Sequence, residues 1–533
     1  MTPEQVHSRR WLILVVMGLC VVIGTMDNTI LTVALAEIQR QLGATNSQLQ
    51  WAMDAYTVVF GALLFTAGLL GDRYGRKRIL MIGMTIFGVS SLLAAFASNP
   101  AELILGRAVM GIGVAVVPGG TLAIILNVFP AEERAKAIGR WSVAGGLALA
   151  LGPLLAGGLL HWFWWGSVLL INVPICLVVV PLIALLVPEN RSPDRKALDW
   201  VGLTLSTLGM GLLIYGIIQG GETGDWGSPQ VLGSVLGGVA VLVALLFAEK
   251  RVANPGLDPA LLRNSLFLTG SIALAVAMLA VMGGSYLLTF YNQQVRGFSA
   301  FQAGLLMVPV AIGTMTAANS SAKLAARLGP ARVIASGLAL ITLSLLYFST
   351  LDESSPLVPF VLAQAVFGFG MGLVMAAAPA MCMSVVPPEK AGAGSAVPNM
   401  MRQVGGAVGV ALLGAVLAAG YRSHIASSLD GLSAPLRDEA VTSIGATTEA
   451  LHEARAAGGS DAAAARRLTD PGTASGLSHT VTGAFVSAQR TAMWTAAGIG
   501  ALGTVAALVW LPGPVRRPAA EAPKPKKNVS QSA

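Results

Sequence analysis

Charge is what this sequence has least of. Only 11% of its 533 residues are Asp, Glu, Lys or Arg, less than half of the roughly 25% of an ordinary soluble domain. A chain of this length needs charge to cover a water-facing surface, which excludes a soluble enzyme and a disordered chain. Cysteine is nearly absent: Cys20, Cys176 and Cys382 are the three, each inside an apolar run, which excludes a secreted disulfide scaffold. No glycine precedes a lysine, so the phosphate-binding Gly-Lys-Ser/Thr loop is missing and ATP hydrolysis with it. The five histidines, His7, His161, His424, His452 and His479, show no metal-ligand spacing. A Gly-x-Ser-x-Gly nucleophile elbow is missing too. These absences argue against an enzyme, a bound metal and a cofactor.

Apolar sequence is what remains. Hydrophobic residues make up 54% of the chain and mean hydropathy is +0.71, which predicts an all-α polytopic membrane protein. Apolar runs fall at 11–33, 50–70, 79–98, 102–126, 141–160, 168–187, 199–219 and 230–248. They continue at 267–291, 302–322, 332–350, 357–386, 397–420 and 490–511, and each is long enough to span a bilayer. Ser8-Arg9-Arg10-Trp11-Leu12 imitates an export signal with Ala34-Leu35-Ala36 as its cleavage site. The run is too long for a signal core and contains Asp27, so it reads as the first span.

The net charge of +8 is a topology signal and not a nucleic-acid footprint, because the basic residues sit in short clusters between spans. With the N-terminus inside, inner loops hold Arg73, Arg76, Lys77, Arg78, Arg134, Lys136 and Arg140, and the tails hold Arg9, Arg10, Lys526 and Lys527. The short outer loops hold only Arg40 and Arg296. Both termini are therefore expected in the cytoplasm. The Arg-, Ala-, Gly- and Val-rich composition points to a bacterial cytoplasmic membrane.

The chain repeats itself. Leu70-Gly71-Asp72-Arg73-Tyr74-Gly75 returns, degraded, as Leu324-Ala325-Ala326-Arg327-Leu328-Gly329, 254 residues on. Gly111-Ile112-Gly113 returns as Gly368-Phe369-Gly370, and Phe129-Pro130-Ala131-Glu132 as Val386-Pro387-Pro388-Glu389, both 257 residues on. Repeated halves point to a transporter with its site at the repeat interface. The expected organisation is a six-helix bundle over 1–190 and two inserted spans over 191–264. Five spans over 265–420 and a last span at 490–511 complete the second bundle. Residues 421–489 read as an extracellular loop, with short helices near 446–457 and 461–468, and 512–533 as a disordered cytoplasmic tail.

Four segments carry chemistry. Gly68-Leu69-Leu70-Gly71-Asp72-Arg73-Tyr74-Gly75-Arg76-Lys77-Arg78 puts turn glycines, an acid and a basic cluster between the second and third spans, able to form charge pairs that break when the halves separate. Gly152-Pro153-Leu154-Leu155-Ala156-Gly157 puts a helix-bending proline among small residues. Met26-Asp27-Asn28-Thr29 buries a carboxylate mid-span, and Trp51-Ala52-Met53-Asp54-Ala55-Tyr56 places a second near a span's start. A carboxylate mid-membrane costs ~2.5–3.5 kcal/mol on insertion scales, so it reads as functional. Asp54 reads equally as a solvated interfacial acid. Arg107 is the deepest cation of the first half and needs an anionic partner, for which Asp27 and Asp54 are candidates. In the second half Asn399, Arg402 and Gln403 precede a glycine-rich stretch, and packing and function stay open for them. Met307, Met315, Phe367, Phe369 and Met371 read as packing, or as an apolar cavity wall.

The Gly68–Arg78 segment closely resembles the signature loop of the major facilitator superfamily. The resemblance implies the major facilitator fold: two six-helix halves plus, here, two inserted central helices, fourteen spans in all. The Gly152–Gly157 segment resembles the Gly-Pro motif of its antiporters, as distinct from its symporters, although Ala148 and Ala156 replace glycines. The Asp27 segment resembles a motif of its fourteen-span drug:proton antiporters, although Ala36 replaces a usual proline. Ile171-Asn172-Val173-Pro174 is a further family-like segment, read as structural. By resemblance, Asp72, Arg73 and Gly75 act at the cytoplasmic gate and Arg107 in proton transfer. The implied activity is export of amphipathic, drug-like compounds in exchange for protons, driven by the proton gradient without a cofactor. Asp27 would bind the proton in competition with cargo, and a cation beside the two acids is a plausible cargo. The family default is a monomer in the lipid bilayer. A dedicated exporter of one antibiotic is the alternative. Nutrient symport is opposed by the Gly-Pro motif, and a non-transporting sensor by the repeat.

Overall fold

In hydrocarbon each backbone N–H and C=O needs a partner, and a run of about twenty apolar residues supplies it within itself as a helix. The computed structural model of the chain describes residues 3–189, 200–249, 259–298, 300–387, 391–429 and 471–510, with scattered positions between 433 and 455. Among them no strand occurs. The chain opens with α1 (Pro3–Leu42), α2 (Asn46–Tyr74) and α3 (Arg76–Ala95). A span broken at Ala115 gives α4 (Pro100–Val114) and α5 (Val116–Val128), and α6 (Ala131–Trp162) follows. A single turn, α7 (Ser167–Leu170), leads into α8 (Asn172–Leu186). Next come α9 (Trp200–Thr223), α10 (Pro229–Glu249), the short α11 (Pro259–Arg263) and α12 (Ser265–Phe290), which ends in a π turn over Tyr291–Val295. The remainder is α13 (Ala300–Leu305), α14 (Val308–Leu328), α15 (Pro330–Phe348), α16 (Leu357–Met383), α17 (Ala391–Ile425) and α18 (Pro471–Trp510).

Local chemistry sets several of these starts. Thr45 and Gln48 form a reciprocal capping box at the start of α2. Asn99 caps α4, with Pro100 at a position that needs no N–H. Among the described residues thirteen helices are long and apolar enough to cross a membrane. The 32-residue α6 occupies the place of the remaining expected span, 141–160.

One boundary differs from expectation. The last helix begins at Pro471 and not near 490, inside the stretch read as a loop. Its early turns are rich in Ala, Gly, Ser and Thr, so no apolar run announces them. They fold because Ala484, Phe485 and Ala488 are buried. Ala488 packs beside Gly420 of α17, and Arg490 Nε donates to the Ser349 carbonyl at the end of α15, 3.2 Å away. The expected helix at 461–468 and the tail 512–533 lie outside the described residues, as does most of 446–457.

Small residues bring the helices together, as membrane packing requires. The two halves solve one crossing in the same way. A Cβ on Gly113 of α4 would lie 2.6 Å from the Gly83 carbonyl oxygen of α3, and one on Gly370 of α16 would lie 2.6 Å from the Gly337 carbonyl oxygen of α15. The sequence repeat is thus a repeat of contacts. The inserted helices α9 and α10 pack on each other. Thr207 of α9 shares a hydroxyl hydrogen bond with Thr66 of α2 at 2.9 Å. Gly221 of α9 abuts Ala411 of α17, so α9 touches both halves. Leu232, Leu236, Val239, Val243 and Phe247 leave α10 with an exposed apolar stripe suited to lipid.

Replacing either glycine with a branched side chain forces the crossing apart. Gly113→Val and Gly370→Val are each expected to destabilise by about 1–3 kcal/mol. The check is thermal melting in detergent, with Gly233→Ala as control because nothing lies within 4 Å of that position. Melting at the wild-type temperature for both valine variants would remove this account of the crossing.

Candidate functional site

The centre of the first half is a fully buried ion pair. Asp27 of α1 and Arg107 of α4 have no solvent exposure, and an Arg107 Nη donates to the Asp27 carboxylate. The other carboxylate oxygen accepts from the Asn172 amide at 2.8 Å. That amide also donates to Ser91 Oγ at 3.1 Å. The guanidinium is occupied on its remaining sides. Its Nε donates to the Ala52 carbonyl at 3.0 Å, its second Nη to Asn28 Oδ1 at 3.2 Å, and its plane lies 4.3 Å from the Tyr56 ring centroid. Of the two acids open as partners for Arg107, the structure places Asp27 there. Asp54 is half-buried near the start of α2.

A cavity of about 260 Å³ lies beside this cluster, between the halves. Asn28, Thr29 and Tyr56 form part of its wall, whereas Asp27 and Arg107 do not line it. The Tyr56 hydroxyl donates to the Gly24 carbonyl at 2.8 Å, which fixes the ring as a partition between cavity and ion pair. The opposite wall holds Asn399, Arg402 and Gln403 of α17 with Met278, Met282, Met371 and Met375. Of the earlier apolar candidates only Met371 lines this space, and Phe367 packs in the second-half core. Asn399, Arg402 and Gln403 are thus brought to one surface with Asn28 and Tyr56. The expectation that cargo reaches the Asp27 carboxylate directly is not met in this conformation, because the Tyr56 ring and Asn28 stand between.

Gly152 of the Gly152–Gly157 segment sits behind this wall, against Thr29. A Cβ on Gly152 would lie 1.9 Å from Thr29 Oγ1, so α6 passes against α1 two residues beyond Asp27. Pro153 and Gly157 lie in the same helix. Contacts between the halves run along α6: Ser142 Oγ donates to the Met375 carbonyl at 3.0 Å, and Gly139 lies against the Ala318 carbonyl.

The α2–α3 turn is a separate cluster. Arg76 closes on Asp72 through two hydrogen bonds to one carboxylate oxygen, at 2.7 and 2.9 Å. Gly75 has φ +108°, and a Cβ there would meet the Glu189 carboxylate beyond the end of α8 at 2.4 Å. Arg73 stacks near Tyr74 at 5.4 Å, and Gly68 is buried in α2. Across the same end of the bundle Arg10 pairs with Glu133 at 2.8 Å, tying the starts of α1 and α6. Among the described residues no cluster of His, Cys, Asp and Glu could hold a metal ion.

Sequence reasoning missed Asn172, Tyr56 and Asn28 as partners of the pair. Asn172 carried a weak signal, as a lone amide in an apolar run at the α7–α8 break.

Comparison with known proteins places the chain. The model of the Major Facilitator Superfamily matches residues 17–410, and the chain belongs to that superfamily. It is 33% identical over 420 residues to the methyl viologen resistance protein SmvA of Salmonella typhimurium, covering 78% of this chain and 84% of that protein. It is 34% identical over 457 residues to a probable actinorhodin transporter of Streptomyces coelicolor, covering 83% and 78%. The fold is similar to the human organic anion transporter MFSD10, with TM-score 0.60 and 15% identity over 95% of this chain and all of that one.

Two outcomes follow from the geometry. Asp27→Asn leaves Arg107 buried without an anion, and is expected to destabilise by about 3–5 kcal/mol. Asp27→Asn/Arg107→Gln should recover part of that loss in thermal melting, and a double variant no better than the single would refute the pairing as the cause. Gly75→Ala meets both a left-handed backbone and the Glu189 carboxylate, so melting should register a loss of at least about 1 kcal/mol, relieved in part by Glu189→Ala.

Proposed function

We propose that this superfamily member is a proton-coupled antiporter that exports amphipathic, drug-like compounds across the bacterial cytoplasmic membrane, with both termini in the cytoplasm. The observation that carries the reading is the Asp27–Arg107 pair, sealed from water directly behind the wall of a central cavity. A carboxylate in that position binds a proton only by giving up its hold on a cation, which makes it a two-state element.

The residues divide the work as follows. Protonation of Asp27 from outside neutralises it and frees the guanidinium. Arg107 then rests on the Ala52 carbonyl, Asn28 and the Tyr56 face, which already surround it. Asn28 and Tyr56 are cavity wall, so the proton changes the shape of the cargo site from behind. Proton and cargo oppose each other through that shared wall. When the halves rock, the Asp72–Arg76 turn and Arg73 act as the gate at one end, and the close fit of α6 on α1 at Gly152 sets how the helices slide. Release of the proton inside restores the ion pair.

Similarity to a probable actinorhodin transporter favours one variant of this reading, a dedicated exporter of a single antibiotic. The breadth of the cargo panel separates it from multidrug export.

The test is proton movement in inverted vesicles holding the protein under an imposed pH gradient, with lipophilic cations, neutral antibiotics and anions added singly. Some compounds are expected to dissipate the gradient, and Asp27→Asn at normal protein level is expected to abolish the response. Full proton-coupled efflux in that variant would overturn the mechanism, and silence across the panel would overturn broad export.

A further inference from the structure

We infer that the cavity takes an amphipathic organic anion, a carboxylate or ionised phenol carried on an apolar body, and that Arg402 is the residue that receives its charge. The inference rests on the export reading for the direction of movement and adds the charge class of the cargo.

Arg107 and Arg402 make the argument by contrast. Arg107 has every side of its guanidinium occupied: a carboxylate, an amide oxygen, a backbone carbonyl and an aromatic face. Arg402 lines the cavity from α17. Its Nε is shielded from solvent with no hydrogen-bond partner, and no ion pair involves it among the described residues. A guanidinium in a membrane-embedded space calls for an anionic or acceptor group, and when the protein supplies none the partner must arrive from elsewhere.

Nothing in the described wall balances that charge. Asp and Glu are absent from the lining, and the carboxylate of Asp27 is committed to Arg107 and Asn172 behind the Tyr56 partition. A cationic cargo would enter a low-dielectric space whose single lining charge repels it. A planar carboxylate matches the donor fork of arginine and is held by paired, charge-assisted hydrogen bonds. Asn399 and Gln403 flank Arg402 on the same wall and add neutral polar contacts. The methionines Met278, Met282, Met371 and Met375 face the remainder of the space. Unbranched thioethers mould to apolar bodies of differing shape. The site is therefore specific for charge and permissive for shape.

The test uses the full chain in lipid nanodiscs and three probes on one body: 1-pyrenebutyrate, its primary amide and the trimethylammonium analogue. Equilibrium dialysis against empty nanodiscs removes partition into lipid. The carboxylate is expected to bind about tenfold or more tightly than either other probe. Arg402→Gln should erase that preference and Arg402→Lys should keep part of it. Equal or tighter binding of the amide or ammonium probe to the wild type overturns the inference, as does no binding by any probe or an unchanged preference in Arg402→Gln. If Arg402→Gln does not fold, the wild-type ranking and Arg402→Lys decide it. The same probes in vesicles under a pH gradient, read against vesicles lacking the protein, separate the two proposals. Carboxylate preference without proton movement keeps Arg402 as the anion site and removes antiport. Proton movement with the ammonium probe alone keeps antiport and removes the anion site.

Discussion

A carboxylate and a guanidinium share the hydrocarbon layer here, and each is tolerable only because of the other. That constraint organises the first half. Asp27 comes from α1, Arg107 from α4, the Ala52 carbonyl and Tyr56 from α2, and Asn172 from the start of α8. Four helices must keep their register to within a hydrogen-bond length or leave a charge unpaired. The close approach of α6 at Gly152 ties a fifth to the same place. The pair is thus the point at which these helices meet.

The rest of the bundle is held together by small residues. Between helices in lipid the hydrophobic effect supplies little, and contact rests on close approach of small residues. The Gly83–Gly113 and Gly337–Gly370 crossings are the same device in both halves. The halves meet along α6, which packs on α14 and α16, and along α17, which packs on α2 and α5; at Gly139 and Ser142 that contact is made by small residues.

The halves are alike in packing and unlike in chemistry. The position equivalent to Arg107 is Gln364, buried with its amide nitrogen unpartnered, and Ala326 stands where the first half has Asp72. At these two positions the second half lacks the charged groups of the first. The second half contributes a methionine-rich surface and one arginine facing the shared cavity. On the proposed reading the two walls have separate duties, so that the proton site and the cargo site differ in charge.

Much of this was legible in the residues. Apolar runs far longer than a soluble core helix needs, with basic clusters between them, determined the fold class, the span positions and the repeat. Asp27 and Arg107 stood out because a charge inside such a run is costly and therefore conspicuous. Uncharged partners carry no such signal: Asn172, Asn28 and Tyr56 are ordinary residues until the crossing of α1, α2 and α8 brings them against the pair. The start of α18 was hidden for a related reason, since Ala, Gly, Ser and Thr become helix only against α15 and α17. The sequence alone determined that the chain buries charge in a membrane, because hydropathy is a property of the chain. Which acid meets Arg107, that a tyrosine screens the pair from the cavity, and that Arg402 faces the cavity without a partner were decided by tertiary structure. Each depends on helix rotation and crossing, and neither is written in the order of the residues.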